Sequence, residues 1–264
     1  MTKLRWGLLS TARINRALIP PLRASPRNEL AAVASRGRER AEAYAREWSI
    51  PRAFGSYEDM LADPGIDVIY NPLPNRLHAE WTIKAAQAGK HVLCEKPLAM
   101  TVEEVDAMAA AAQQAGVVVA EAFMYRHHPQ TLKVKEMVER GEIGDLRLVR
   151  GSFTFNLTHP GDVRLDPALG GGSLRDVGCY PISYARYVIG ADGTASIVRK
   201  WLYPDLKVTY SQAAQEIYAT DVELPRDAMN LLLFPEFAPF YFDVLRKDGL
   251  LLMECDLISD ADRR

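Results

Sequence analysis

Short apolar segments alternate with longer segments of helical character through roughly the first 120 residues, and this alternation restricts the fold more than any other feature of the chain. Five apolar segments are predicted as β-strands: Leu4–Leu9, Leu30–Ala34, Asp67–Tyr70, Val92–Cys94 and Val117–Ala120. Because these segments are largely apolar throughout, rather than at every second position, both faces of each strand should be buried. The pattern therefore predicts a doubly wound α/β domain with a parallel sheet, which binds its ligand beyond the carboxyl ends of the strands.

Capping residues and helix breakers mark the helices between these strands. Thr101 followed by Glu104 is a capping box, and it opens a helix that we expect to end at Gly116. Pro20–Pro21 predicts that the helix beginning near Asn15 kinks or stops early. Further helices are predicted over Arg38–Glu47, over Tyr57–Ala62 with Ser56 as its cap, and over His78–Ala88.

The size and composition of the chain limit its class. With 264 residues it exceeds the usual size of one domain, so two domains are predicted. The formal net charge of -2 gives no indication of nucleic acid or an acidic membrane as partner. The sequence has no apolar run of about 18 residues and its start lacks the pattern of a signal peptide, so we expect a cytoplasmic protein without a membrane partner. The three cysteines are widely spaced and predict neither a disulfide framework nor a metal site.

The turn after the first predicted strand is a candidate phosphate loop. Dinucleotide-binding domains usually carry G-x-G-x-x-G there, whereas this chain reads G-L-L-S-T-A-R-I and retains only the first glycine, Gly7. The small residues still allow a phosphate to approach the backbone, and the two hydroxyls can donate to it. An unrelated α/β turn explains the segment nearly as well. The candidate cofactor-binding residues of this loop are Ser10, Thr11, Ala12, Arg13 and Ile14.

The end of the second predicted strand bears on the choice of cofactor. An NAD site usually has an acidic residue there, whereas an arginine suits the 2′-phosphate of NADP. Ser35 and Arg36 occupy the position, and Arg38 and Arg40 follow. Cations at a helix N-terminus oppose its dipole by roughly 0.3–1 kcal/mol each, which favours a bound anion at this place. A solvated basic turn is the alternative; of the two cofactors, we expect NADP, with NAD as the second candidate.

Four further stretches carry a family resemblance. They are N-P-L-P-N-R-L-H-A-E-W at 71–81, C-E-K-P at 94–97, E-A-F-M-Y-R-H-H-P-Q at 121–130 and G-G-G-S-L-R-D-V-G-C-Y-P at 170–181. With these motifs the chain resembles the Gfo/Idh/MocA family from about residue 4 to residue 190. The resemblance implies a nicotinamide-dependent oxidoreductase. It also implies an N-terminal Rossmann domain, placed at residues 1–122, and a C-terminal α+β domain at 123–264 with a mainly antiparallel open sheet for substrate binding and oligomerisation.

The resemblance also assigns roles within the motifs. In D-x-G-x-[HY], Asp176 matches the aspartate and Tyr180 stands where inositol dehydrogenases have histidine. The tyrosine resembles the branch of glucose–fructose oxidoreductase, NADP-dependent xylose dehydrogenases and dimeric dihydrodiol dehydrogenases, which act on polyhydroxy substrates such as aldoses and trans-dihydrodiols. Lys96 and Tyr180 are then the catalytic pair, with Asp176 as a partner of the substrate or of Lys96. Asn71, Pro72, Leu73, Asn75, His78, Glu95 and Lys96 join the cofactor-binding residues.

Four of these motif residues also have a structural interpretation, in which they bind no ligand. Glu95 and Lys96 suit a surface ion pair at the end of a strand, and a tyrosine such as Tyr180 is more often a half-buried aromatic residue with a satisfied hydroxyl. His78 also suits a helix start. A sugar or diol dehydrogenase is the favoured function; a sensing protein that binds the dinucleotide, or a catalytically impaired relative, is the alternative.

The resemblance fades after about residue 190. Strands are predicted at Lys207–Tyr210, Asn230–Phe234, Pro239–Leu245 and Leu250–Cys255, but their apolar residues alternate poorly. Most family members are longer than this chain. A shortened relative and an altered reading frame near the end both fit, and a homodimer formed through the C-terminal sheet is a further expectation.

Overall fold

A computed structural model describes residues 3–144, 146, 148–189, 240–247 and 250–257. The chain divides into two compact units. The first comprises Met1–Phe123 together with His159–Asp176, and the second comprises Met124–Thr158 together with Val177–Arg264.

The first unit contains a six-stranded parallel sheet. Its strands are β1 (Leu4–Leu9), β2 (Asn28–Ala34), β3 (Arg52–Phe54), β4 (Val68–Asn71), β5 (His91–Cys94) and β6 (Val119–Glu121), in the order β3-β2-β1-β4-β5-β6. Every pairing is parallel. The doubly wound fold is thereby confirmed, with the strand order of a dinucleotide-binding domain. The five predicted strands are present with ends shifted by at most two residues; β3 was missed because three half-buried residues give no periodic pattern.

Helices cover both faces of this sheet. They are α1 (Asn15–Ala24), α2 (Arg38–Glu47), α3 (Tyr57–Ala62), α4 (His78–Gln87) and α5 (Val102–Ala115). Successive strand residues enter different cores: Leu8 and Tyr70 pack in one with α1 and α2, whereas Leu9 and Ile69 pack in the other with α3 and α4. This arrangement is why the strand segments are apolar at consecutive positions.

The predicted helix caps are present. Ser56 accepts a hydrogen bond from the backbone N–H of Asp59 at the start of α3. Thr101 accepts one from the N–H of Glu104 at the start of α5, and the Glu104 carboxylate accepts one from the N–H of Met100. These bonds satisfy N–H groups that have no partner within the helix.

Of the kink or early stop predicted for α1, the early stop is wrong. The helix continues past Pro20–Pro21 to Ala24, and the N–H of Ser25 closes it by donating to the carbonyl of Pro21. Ile19 and Leu22 are almost fully buried in the core beneath the helix. Their packing outweighs the backbone hydrogen bonds that the two prolines remove.

The second unit contains α6 (Pro129–Glu139), β7 (Leu148–Thr154), α7 (Cys179–Ile189), β8 (Phe240–Lys247) and β9 (Leu250–Leu257). Its three described strands are ordered β7-β9-β8, with β7 parallel and β8 antiparallel to β9. The last two strands coincide with the segments predicted at Pro239–Leu245 and Leu250–Cys255. The strands predicted at Lys207–Tyr210 and Asn230–Phe234 lie outside the described residues.

Short helical turns complete the described structure. They are Asn75–Leu77, Met124–His127, Val163–Leu165, Pro167–Leu169 and Leu174–Gly178. Among the helices that the structure describes, none combines the length and apolar character required to span a bilayer.

Candidate functional site

The loops that follow β1, β2, β4 and β5 carry most of the residues predicted to bind a cofactor. These four strands are neighbours and run parallel, so their carboxyl ends lie along one edge of the sheet. The strand order reverses between β1 and β4, where doubly wound sheets bind their ligands. The predicted residues at this edge are Ser10, Thr11, Ala12, Arg13, Ile14, Ser35, Arg36, Asn71, Pro72, Leu73, Glu95 and Lys96.

The loop after β1 turns sharply at Ser10, whose φ of 71° lies in the left-handed region. The Ser10 N–H donates to the carbonyl of Ala34 at 2.9 Å, and its own carbonyl accepts from Nδ2 of Asn15 at 3.0 Å. Asn15 is fully buried at the start of α1. The loop is therefore fixed to both β2 and α1, and the N-terminus of that helix favours an anion at this edge.

Gly7, the glycine that the candidate phosphate loop retains, has a packing role in the structure. It lies inside β1, where a Cβ would come within 2.8 Å of the Met60 sulfur. Its small size therefore allows the strand to pack against α3. The turn of the loop itself begins at Ser10.

The basic residues after β2 lie beside the same loop. Arg40 Nε donates to the hydroxyl of Thr11 at 2.9 Å, which links the segment after β2 to the loop after β1. Arg38 instead pairs with Glu42 on its own helix at 3.4 Å. Arg36 is exposed and Ser35 is buried, with its N–H bonded to the carbonyl of Phe54. Arg40 stood out in the sequence only as a neighbouring cation, and the structure adds it to the candidate phosphate-binding residues.

The residues after β4 are turned into the domain. Asn71, Pro72 and Leu73 are buried. The Asn71 amide donates to the His78 carbonyl at 3.2 Å and to the Thr82 hydroxyl at 3.1 Å. These contacts fix the start of α4 to the end of β4, so the side chain of Asn71 supports the edge of the site.

His78 is fully buried at the start of α4. Its two ring nitrogens lie 2.7 Å from the carbonyl oxygens of Leu73 and Pro97. Burial lowers the pKa of His78, whereas the two carbonyls raise it. The ring thus connects the loops after β4 and β5, and both of its polar atoms are engaged by backbone of the same unit. In the structure His78 supports the site from within, and its role in cofactor binding stays a prediction.

Asn75 likewise contacts its own unit. Its Nδ2 donates to the carbonyl of Gly170 at 2.9 Å. Gly170 has a φ of 83°, and a Cβ there would lie 2.7 Å from the Met100 sulfur. Only glycine fits this turn, and Asn75 holds the turn close to the loop that precedes α4.

Glu95 is held by a tyrosine from the neighbouring strand. The Tyr70 hydroxyl donates to Glu95 Oε1 at 2.6 Å. Burial raises the pKa of Glu95, while the Tyr70 hydrogen bond and the charge of Lys96 lower it. The carboxylate is therefore fixed in one orientation immediately before the Lys96–Pro97 peptide bond, which is cis.

Lys96 pairs with the aspartate of the D-x-G-x-[HY] motif. Its Nζ lies 3.0 Å from Asp176 Oδ1 and also donates to the backbone carbonyl of Asp176. The two side chains are 14% and 12% exposed, so the pair is largely shielded from water. The sequence offered a partner of the substrate or of Lys96 as roles for Asp176, and the structure shows the contact with Lys96.

A third charged residue completes this group and was missed in the sequence. Arg164 Nε lies 2.8 Å from Asp176 Oδ2 in an ion pair, and its Nη1 lies 3.2 Å from Asp162 Oδ2. Arg164 belongs to no motif that we recognised. The one available signal was its position between two aspartates, in D-V-R-L-D, just before the glycine run.

Tyr180 lies in the second unit, near the start of α7. Its ring packs edge-on against Phe153, with centroids 5.2 Å apart, and lies 6.1 Å from the ring of Tyr125. The Tyr125 hydroxyl donates to Ser183 at 2.7 Å, and Arg126 donates to the same Ser183 oxygen at 2.9 Å. Tyr180 is thus part of an ordered aromatic cluster. Since Lys96 belongs to the first unit, its pairing with Tyr180 stays a prediction.

Within the described part of the chain, no group of three or more histidine, cysteine, aspartate or glutamate side chains is arranged to hold a metal ion. The groups that the site offers are hydroxyls, arginines, a helix N-terminus and the Lys96–Asp176 pair. These suit a phosphorylated dinucleotide at the sheet edge.

Comparison with known families identifies the class. Residues 4–123 match the family described as oxidoreductase, NAD-binding Rossmann fold (GFO/IDH/MocA), and residues 131–209 match the GFO/IDH/MocA C-terminal domain. The chain belongs to the Gfo/Idh/MocA oxidoreductase family, as its motifs predicted.

Individual members of this family are similar to the chain over most of its length. The chain is 48% identical to D-xylose 1-dehydrogenase (NADP(+)) 2 of Haloferax volcanii, over 70% of its own length and 57% of that enzyme. It is 36% identical to trans-1,2-dihydrobenzene-1,2-diol dehydrogenase of Xenopus laevis, over 74% of its own length and 60% of that enzyme. The chain thus spans less than two thirds of these curated relatives.

A solved structure gives a match over more of the chain. The 3-ketoreductase from Actinomadura kijaniata in complex with NADP and TDP-benzene superposes with a TM-score of 0.69 at 27% identity. The match covers 97% of this chain and 70% of that one.

Proposed function

We propose that the protein is an NADP-dependent oxidoreductase that transfers hydride between nicotinamide and a hydroxyl or carbonyl group of a sugar or cyclic diol. The Lys96–Asp176 ion pair is the observation that carries the proposal. It holds an ammonium group at the carboxyl end of β5, beside loops whose hydroxyls, arginines and helix N-terminus suit a dinucleotide. The names of the xylose and dihydrobenzenediol dehydrogenases support the substrate class.

Arg36 and Arg40 support NADP over NAD. Both follow β2, where a dinucleotide-binding domain contacts the ribose of the adenosine half. Arg40 is already oriented by Thr11 of the phosphate loop. A 2′-phosphate would place its charge among these arginines, whereas NAD has only a neutral hydroxyl there. The residues after β4 would meet the cofactor through their backbone, since their side chains are engaged inside the domain.

When bound, the nicotinamide supplies the acceptor or donor of hydride. The chain must then remove the hydroxyl proton of an alcohol substrate, and we assign this step to Tyr180 and Lys96. An ordinary phenol with a pKa near 10 is about three units too weak at pH 7, which corresponds to about 4 kcal/mol. An ammonium about 4 Å away returns roughly 4 kcal/mol at an effective dielectric near 20, less the cost of desolvation. Lys96 also donates to the developing oxyanion.

The two regions of the chain divide these tasks in our proposal. Residues 1–122 bind the dinucleotide, while residues 123–264 contribute Tyr180, the substrate contacts and a homodimer interface through the C-terminal sheet. Light scattering on the purified protein tests the last point, and a mass twice that of the chain is expected. A monomeric mass would contradict the dimer without affecting the assignment of the cofactor.

A substrate screen tests the proposed activity. Aldoses, inositols and trans-dihydrodiols are offered with NADP and with NAD, and the absorbance of the reduced cofactor is followed. Turnover with NADP supports the proposal, and Tyr180→Phe should then lower kcat at least about tenfold. Tyr187→Phe, on the same helix, is the matched control. NADPH binding without turnover would contradict the catalytic assignment and favour a sensing or impaired protein.

A further inference from the structure

Arg164 contacts three parts of the segment that ends in Asp176. Its Nε lies 2.8 Å from Asp176 Oδ2 in an ion pair, and its Nη1 lies 3.2 Å from Asp162 Oδ2. Its backbone carbonyl accepts a hydrogen bond from the N–H of Gly172 at 2.8 Å. One residue therefore connects the start of the segment, its glycine turn and the carboxylate that meets Lys96.

The glycine turn is shaped to allow this contact. A Cβ on Gly171 would lie 2.5 Å from the carbonyl oxygen of Arg164, which leaves no room for a side chain. The Gly171 N–H donates to the carbonyl of Asp166 at 2.9 Å. The glycine run therefore folds against the backbone around Arg164. This fixes the backbone position from which the Arg164 side chain extends.

The carboxylate of Asp176 is divided between two cations. Oδ1 accepts a hydrogen bond from Lys96 and Oδ2 is ion-paired with Arg164, so each oxygen has a cationic partner of its own. Charge-assisted hydrogen bonds of this kind are short and directional. With Oδ2 paired to Arg164, the Lys96 ammonium contacts the carboxylate through Oδ1 and donates to the backbone carbonyl of the same residue.

We infer that Arg164 is a positioning residue for Lys96, acting through Asp176, an inference that rests on the proposed oxidoreductase function. Without the guanidinium, both carboxylate oxygens become available to the ammonium. The Asp176 side chain is then free to rotate, and the ammonium follows it away from the substrate oxygen. A displacement of about 1 Å in a reacting group can lower a rate by roughly 100-fold.

Two variants test this inference in the whole chain. Arg164→Ala removes the guanidinium and retains the backbone carbonyl that receives Gly172. Arg164→Lys keeps the charge but lacks the planar fork that joins Asp176 and Asp162. Arg140→Ala is the matched control, because Arg140 makes an exposed ion pair with Glu136. NADPH affinity is measured first for each variant, to show that the fold persists.

The expected kinetic result is a selective loss of kcat. Arg164→Ala should lower kcat about 10- to 100-fold and change KM for NADP by less than about twofold. The kcat of Arg164→Lys should lie between those of Arg164→Ala and the wild type. The kcat of Arg140→Ala should equal that of the wild type. Added guanidinium chloride at millimolar concentration should restore part of the activity of Arg164→Ala. Wild-type kcat in Arg164→Ala would overturn the inference, and so would a loss that guanidinium does not restore.

A spectroscopic measurement separates this inference from the proposed function. The ¹⁵N signal of the Lys96 ammonium, assigned by its absence in Lys96→Met, reports the geometry of the ion pair without any turnover. In Arg164→Ala it should move or broaden, and guanidinium should return it towards the wild-type position. An unchanged signal would overturn the role of Arg164 even if the enzyme is active. If the wild type shows no turnover but the Lys96 signal of Arg164→Ala moves as expected, only the proposed function is overturned.

Discussion

Lys96 Nζ lies 3.0 Å from Asp176 Oδ1, which joins two motifs separated by 80 positions in the sequence. The first motif follows β5 at the cofactor edge of the sheet, and the second follows the glycine turn that Asn75 and Arg164 hold in place. The ion pair is largely buried. A buried pair is stable only when both partners are present, because removal of one partner leaves an uncompensated charge.

Asp176→Asn should therefore impair catalysis while leaving the cofactor bound. The amide cannot balance the charges of Lys96 and Arg164, so the ammonium loses its fixed position. We expect kcat to fall at least about tenfold, with the dissociation constant of NADPH changed by less than about threefold. Steady-state kinetics and NADPH fluorescence measure the two quantities. Asp106→Asn, exposed on α5, is the control; equal kcat in both variants would contradict the role of Asp176.

Arg36→Ala and Arg40→Ala should each weaken NADP binding while leaving NAD binding nearly unchanged. Loss of one charge-assisted contact to the 2′-phosphate costs roughly 1.5–3 kcal/mol, or about a 10- to 100-fold rise in the dissociation constant. Arg38→Ala is the matched control, because that side chain pairs with Glu42. Fluorescence titration with NADPH and NADH gives the affinities. Parallel losses for both cofactors would contradict the assignment of these arginines to the phosphate.

Tyr70→Phe should destabilise the first unit in a pH-dependent way. Burial raises the pKa of Glu95 and the Tyr70 hydrogen bond lowers it, so the variant should raise this pKa further. A carboxyl whose pKa is higher in the folded than in the unfolded state costs stability once pH exceeds its unfolded value, and this cost is absent below it. The loss should therefore be larger at pH 7, at about 1–3 kcal/mol, than near pH 4.

Urea unfolding at both pH values measures the effect of Tyr70→Phe. Tyr57→Phe serves as the control, because the Tyr57 ring packs edge-on against Trp81 and keeps that contact without its hydroxyl. A loss of unfolding free energy that is equal at both pH values, or larger near pH 4, would contradict this account, in which Tyr70 donates to an ionised Glu95 at neutral pH.

Ser10→Gly should stabilise the protein. Ser10 adopts a left-handed conformation that costs a residue with a Cβ on the order of 1 kcal/mol, while glycine adopts it freely. Part of this gain is offset by the greater chain entropy of glycine in the unfolded state, which leaves about 0.5 kcal/mol. Ser10→Ala retains the Cβ and should show no gain. The midpoint of thermal unfolding is measured for both variants. A lower midpoint for Ser10→Gly than for Ser10→Ala would refute the expectation.

The sheet and its helices were predictable because their signals are local. Strands buried on both faces are apolar at consecutive positions, as Leu8 and Leu9 show by entering different cores. Ser56 and Thr101 mark helix starts through contacts within three residues. The early stop predicted for α1 was wrong, since the burial of Ile19 and Leu22 depends on tertiary packing that the local pattern does not contain.

The candidate site was predictable only in part, because its contacts are long-range. The motifs located Lys96 and Asp176, but the link from Asp176 to Arg164 depends on how the glycine turn folds. Likewise, Asn71, Asn75 and His78 bear polar groups that suit a ligand, and only the structure reveals that backbone and side chains of the same unit engage them. Residue type indicates what a side chain can bind, whereas burial determines which partner it finds.

The most direct measurement of the central claim compares kcat of Lys96→Met with that of the wild type, using NADP and the best substrate of the screen. Lys84→Met, which removes an exposed lysine paired with Glu80 on α4, controls for the substitution itself. We predict that kcat of Lys96→Met falls at least about 100-fold, that NADPH still binds, and that Lys84→Met matches the wild type. A Lys96→Met variant as active as Lys84→Met would contradict the assignment of this ammonium to hydride-transfer chemistry.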